Sequence, residues 1–136
     1  MYKKSAIKRT TISLLLLCLM TSTVAAQQPN VVTTLMSKDL KDNPGKEVLM
    51  ITVEYPPGGS DRVHRHYGQA FVYVLEGSVV MQLKGGKEVT LTAGQTFYEG
   101  PDDVHVVGRS ASTTRPAKML VILIKDKGAP ILVPVK

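Results

Sequence analysis

From Glu47 onward this chain is a series of short alternating runs, each stopped by a turn. "EVLMITVEY" ends against Pro56-Pro57-Gly58-Gly59, and Gly77 turns "AFVYVLE" into "SVVMQL". Gly85-Gly86 leads into "KEVTLT", Ala93-Gly94 into "QTFYE", and "GPDD" interrupts before "VHVVGR". A Ser, Thr and Pro stretch (Ser110 to Pro116) precedes "AKMLVILI", and "KDKGAP" precedes "ILVPV". Apolar residues recur with a period of two, which sends alternate side chains to opposite faces of a strand. No sustained helical period competes with it. The pattern predicts roughly eight or nine short strands in an antiparallel sandwich or barrel, with one face of each strand filling the interior. The polar segment before Glu47, residues 27–45, reads as an approach that pairs loosely along one edge.

The N-terminus has a different character. Lys3, Lys4, Lys8 and Arg9 precede an uncharged apolar run around Leu14 to Met20, and Val24-Ala25-Ala26 closes it with small residues. Basic region, apolar core and small-residue end are the pattern of a cleavable secretory signal peptide over residues 1–26. The run is short for a membrane span and no second one follows, so no stable membrane association is expected after cleavage. Cys18, the only cysteine, lies within the apolar core behind Leu17, which does not fit a lipid-anchoring site. The expected location is periplasmic or secreted.

Cleavage also changes the charge argument. The full chain carries 17 Lys+Arg against 11 Asp+Glu, a formal +6. Four of those bases and none of the acids belong to the leader, so the remainder is near +2. That is no footprint of nucleic-acid binding. Without its cysteine the remaining domain must hold together by core packing, helped by a metal or a second subunit.

The chain has three histidines, His64, His66 and His105. His64 and His66 are two apart, so on an extended strand both imidazoles face the same way. His105 enters a similar block, a turn rich in Gly, Pro and Asp followed by a β-branched run. If the two blocks pair, all three imidazoles converge in the lumen and can hold one divalent transition metal. Imidazole suits Zn, Cu, Ni and Fe alike, so ligand type narrows the ion only weakly and leaves Fe, Mn, Zn, Ni or Cu open.

Here the chain resembles the cupin superfamily. The first family motif runs Gly, five residues, His-x-His, three or four residues, Glu, six residues, Gly. Gly58, His64, His66 and Gly77 stand at its positions, with Ala70 where Glu is expected. The second runs Gly, five residues, Pro-x-Gly, two residues, His. Gly94 and His105 match, while Gly100 replaces the proline, Asp102 replaces the glycine, and Pro101 keeps the turn character. "HVVGRSAS" and "PAKMLVILIKDKGAPILVP" are similar to a small exported single-domain subgroup, and the likeness runs from Lys46 to the C-terminus. The resemblance implies a double-stranded antiparallel β-barrel of jelly-roll type over residues 46–136. It implies a metal on His64, His66 and His105, and a homodimer formed through outward sheet faces and terminal strands.

Ala in place of Glu removes a charge and a coordinating oxygen. Three neutral imidazoles leave the ion its full charge and an open position, which favours anionic ligands. Two residues are candidates to supply the missing donor. Gln69 would need a bulge, because strict alternation puts it on the opposite face from Ala70. Glu99, just before the second-motif turn, could reach the site as a base or pair with Arg109. Asp102 and Asp103 serve the turn. Phe71, Tyr73, Phe97 and Tyr98 are expected in the core or pocket wall, with Tyr98 a candidate to bond a substrate oxygen.

The resemblance allows a metal-dependent dioxygenase, lyase or isomerase acting on a small oxygenated organic molecule. The alternative is a non-catalytic barrel that captures a small ligand at a weak or degenerate metal site.

Overall fold

The computed structural model describes residues 28–136, which form ten strands and no helix. The leader read over residues 1–26 lies outside the described residues. The strands are β1 (Val31–Asp39), β2 (Lys46–Tyr55), β3 (His64–Arg65), β4 (Gly68–Glu76), β5 (Ser78–Leu83), β6 (Val89–Thr92), β7 (Thr96–Glu99), β8 (His105–Ser110), β9 (Ala117–Asp126) and β10 (Val133–Pro134). Two five-stranded sheets result, β1-β2-β9-β4-β7 and β10-β3-β8-β5-β6, antiparallel throughout. Most turns carry the chain from one sheet to the other, the winding of a jelly-roll sandwich.

Alternation explains the layers. In β4 the burial follows the period of two through Gly68, Ala70, Val72 and Val74, and β9 does the same through Ala117, Met119, Val121 and Leu123. These side chains meet Leu49, Ile51 and Tyr55 of β2, with Val79 and Met81 of β5, in one core between the sheets. Burying each Val, Leu, Ile or Met is worth about 1.5–3 kcal/mol, which the opposite, solvated faces do not contribute. Gly77 makes the β4–β5 turn at φ 70°, and a Cβ there would meet the Pro116 carbonyl at 2.5 Å. Only glycine fits both the left-handed backbone and that close approach.

Two expectations change. The approach segment is a full nine-residue strand, β1, paired along β2 with an irregularity between Thr34 and Met36. Every residue of β1 is exposed, so it is held mainly by its ladder, although Val32 reaches the rim of the central cavity. The aromatic residues also divide differently: Phe71, Tyr73 and Tyr98 stand on the outer face of the first sheet, and only Phe97 packs against the core.

A buried ion pair closes one end of the sandwich. Lys125 points inward from β9, and its Nζ lies 2.5 Å from Glu47 Oε1 and 2.6 Å from the Ala129 carbonyl. Glu47 also accepts from Ser37 Oγ at 2.8 Å and from the Gly128 N–H at 3.1 Å. Both carboxylate oxygens have donors, the condition under which a buried charge is tolerated. The hydrogen bond from Lys125, helped by Ser37 and Gly128, lowers the Glu47 carboxyl from 4.5 to about 2. A lowered folded-state value stabilises the fold above the unfolded value and is lost as pH falls toward 2. Lys125→Met should therefore melt well below the wild type at pH 7. The two melting curves should converge as the pH is lowered from 4.5 toward 2, read by circular dichroism.

Candidate metal centre

Four side chains meet between the sheets, each nearly inaccessible: His64, His66, Glu99 and His105. β3 and β8 bring two of them, because His64 pairs directly with His105 in the antiparallel register. His66 stands where the chain leaves β3 for the other sheet. Tyr67 makes that crossing with φ 44°, a left-handed conformation that costs a non-glycine residue roughly 1–2 kcal/mol. Glu99 is the last residue of β7. The turn after it is held by Asp103, which accepts the Gly100 N–H at 2.7 Å.

The position of Glu99 answers the question raised by Ala70. In the β4–β7 ladder Ala70 is the cross-strand partner of Glu99. Directly opposed residues on one face of an antiparallel pair have Cβ atoms about 4.5–5.5 Å apart. The carboxylate that the first motif lacks is thus present one strand over, and the fully buried methyl of Ala70 leaves room for it.

The donor atoms are oriented by the backbone. His64 Nδ1 lies 2.7 Å from the Arg62 carbonyl and His66 Nδ1 lies 2.6 Å from the Ile131 carbonyl. Each Nδ1–H donates to its carbonyl, which leaves Nε2 as the free nitrogen, a common support for a ligating histidine. The two Nε2 atoms are 3.3 Å apart, and Glu99 Oε2 is 3.3 Å from His66 Nε2. Ligands bound at 2.0–2.1 Å around a tetrahedral ion are separated by about 3.4 Å. Donor atoms of His64, His66 and Glu99 all lie within 4.8 Å of one another, so this trio fits a shared cation. His105 directs Nδ1 at Glu99 Oε2, 3.4 Å away, while its buried Nε2 has no hydrogen-bond partner. An orphaned imidazole nitrogen beside three converging donors is further reason to read the cluster as a metal site.

Burial and charge compete within it. Burial works to lower the His66 pKa, but the Glu99 hydrogen bond and charge outweigh it and the net shift is upward. Burial works to raise Glu99, yet the His66 hydrogen bond and the neighbouring histidines hold it low. His105 is lowered, chiefly by burial, with the Glu99 charge opposing. Without an ion, the cluster therefore favours a proton on His66 facing an ionised Glu99.

The sequence candidates fall into two groups. His64, His66, His105 and Glu99 are brought together. Gln69 is not: it is exposed and opposite Ile124, because β4 keeps strict alternation there and no bulge turns it inward. Tyr98 is also outside, tilted against Phe71 with ring centroids 5.2 Å apart, since it precedes the inward-facing Glu99 by one residue. Arg109 pairs with Glu88 at 3.2 Å on the surface and does not reach Glu99. Tyr55 and Asp61 went unnoticed in the sequence, although both line the cavity. Alternation from Leu49 and Ile51 carries inward to Tyr55, a signal that was available; Asp61 lies in a loop and had none.

The cavity beside the cluster is small, about 60 Å³, and its remaining wall is largely aliphatic: Ile51, Val53, Val72, Met119, Val121 and Ile131. Because a proton on His66 competes with an ion, metal binding should strengthen as pH rises through the raised His66 titration. The melting-temperature gain on adding a divalent metal should grow as the pH is raised above 6.5. Glu99→Gln should cut metal affinity by tenfold or more while the metal-free protein still folds, measured by competition with a chromogenic chelator.

A family model described as Cupin domain matches residues 51–123. No curated protein matches the chain significantly. Among solved structures, a cupin superfamily protein from Desulfitobacterium hafniense superposes with TM-score 0.60 at 17% identity, covering 75% of this chain and 83% of that one. A Cupin 2 conserved barrel domain protein from Leptotrichia buccalis gives TM-score 0.58 at 26% identity, covering 74% of this chain and 43% of that one. An oxalate oxidase in complex with the substrate analogue glycolate gives TM-score 0.59 at 25% identity, covering 78% of this chain. The chain spans only 55% of that oxidase's length. The matched span is more than half of the sequence and contains both histidine blocks, and the chain belongs to the cupin family.

Proposed function

We propose that this protein is an exported, metal-dependent enzyme acting on a small oxygenated organic acid. One observation carries the reading: four buried donor side chains, three imidazoles and a carboxylate, converge at a largely aliphatic cavity. A purely structural role would not require so many desolvated polar groups facing empty space. His64, His66 and Glu99 would hold the ion, with His105 beside them. Two imidazoles and a carboxylate suit ferrous or manganous ions. When bound, such an ion supplies a Lewis-acid centre for substrate oxygens.

The protein's own groups do the rest. The aliphatic wall excludes water and lowers the local dielectric, which strengthens the attraction between a cation and an anionic substrate. Glu99 offsets part of the ion's charge, which the histidines do not. The likeness to an oxalate oxidase crystallised with glycolate supports a small carboxylate as the substrate class and oxygen-dependent chemistry as the reaction class. Export through the leader and pairing of two copies belong to the same reading. The exposed Phe71, Tyr73 and Tyr98 on the outer face of the first sheet support the pairing.

The decisive experiment is elemental analysis of protein purified without chelator or nickel affinity, beside His64→Ala, followed by oxygen-electrode assays with oxalate and glycolate. Near-stoichiometric iron or manganese, lost in His64→Ala, is expected, with oxygen uptake that requires the metal. Bound metal without turnover of either acid would make the protein a ligand-binding cupin instead.

A further inference from the structure

A second polar unit stands at the cavity, and it has the character of a hydrogen-bond acceptor. Tyr55 ends β2 with its side chain almost wholly buried. Its hydroxyl donates a short hydrogen bond to Asp61 Oδ2. Asp61 Oδ1 accepts from Asn30 Nδ2 at 2.7 Å, and the Asp61 N–H donates to the Gly108 carbonyl at 2.8 Å. Each oxygen of the carboxylate therefore has a donor, the backbone of Asp61 is tied to β8, and Tyr55 has one fixed partner for its one proton.

Gly108 puts this hydroxyl beside the metal cluster. A Cβ at Gly108 would lie 3.1 Å from Tyr55 Oη, 2.8 Å from His105 Cε1 and 3.2 Å from His105 Nε2. Hydroxyl and imidazole thus both approach β8 at Gly108, where any side chain would crowd them. Burial first, then the charges of Asp61 and Glu99, push the Tyr55 phenol well above its ordinary value. The group stays neutral, its proton directed at Asp61, and its lone pairs are what remains for the cavity.

The other polar side chains lining the cavity are Asp61 and the four of the cluster. A ligand whose oxygens face the cluster therefore finds, on the cavity wall, an acceptor in Tyr55 and no matching donor side chain. We infer that Tyr55, oriented by Asp61, selects acids carrying a free hydroxyl, so that the substrate class is a small hydroxy acid whose O–H donates to Tyr55 Oη. This rests on the metal reading above, since the carboxylate end needs the cation.

The test is calorimetric titration of the metal-loaded protein with glycolate and with methoxyacetate, which has the same carboxylate but no hydroxyl proton. Wild type should prefer glycolate by about tenfold, the value of one buried hydrogen bond and the unmet acceptor left without it. Tyr55→Phe should bring the two ligands within about twofold by weakening glycolate, at unchanged metal content. Asp61→Asn should also erase the preference, because an amide can donate to Tyr55 and turn its proton toward the cavity. Equal binding of the two acids by wild type would overturn the inference. So would a preference that survives in Tyr55→Phe, since methyl bulk would then explain it, and so would failure of both acids to bind metal-loaded protein. If the protein takes up no ion, the metal reading falls and this inference with it, an outcome distinguished by ion content rather than ligand preference.

Discussion

Everything in the site depends on keeping one carboxylate buried among imidazoles inside an apolar sandwich. An unpaired Glu99 there would be driven to neutrality or out to solvent. It stays because His66 and His105 approach it at 3.3 and 3.4 Å, and because Ala70, opposite it, takes almost no space. The register of β4 and β7 is consequently as much a part of the candidate metal centre as the donor side chains. A one-residue slip would put Glu99 on the solvent face and bring Tyr98 inward.

The histidines depend on chain outside the strands that bear them. His66 is oriented by the Ile131 carbonyl, which belongs to the segment between β9 and β10. That segment is anchored at its start, where Lys125 binds the Ala129 carbonyl and Glu47 receives the Gly128 N–H. It is anchored at its end by pairing with β3 and by the Val135 N–H on the Val63 carbonyl at 3.0 Å. The buried Lys125–Glu47 pair thus connects the stability of the sandwich to the aim of a ligand. Pairing of this kind serves position more than net stability, since desolvation offsets much of the Coulombic gain.

The cavity combines a cluster able to hold a cation with a wall whose free hydrogen-bonding capacity is mostly that of an acceptor. A small anion with a donor hydroxyl satisfies both ends; a plain acid satisfies one. Family membership alone does not supply that distinction, because one fold carries many chemistries. It comes from Tyr55 and Asp61, whose arrangement is set by the loop after β2 and by Gly108.

The sequence by itself determined the layers and most of the donors. Alternation in β4 and β9 decided which residues face the core, and the glycine-rich turns marked the strand boundaries, because both are local properties of the backbone. The spacing of His64 and His66 and the turn before His105 likewise announced three imidazoles on one side. What the tertiary structure decided was every contact between strands distant in sequence. That Glu99 lies opposite Ala70, that Gln69 and Tyr98 face solvent, and that Asp61 reaches Tyr55 over Gly108 are matters of register and loop path. Strand periodicity states which face a residue takes, whereas only the pairing of sheets states what it meets there.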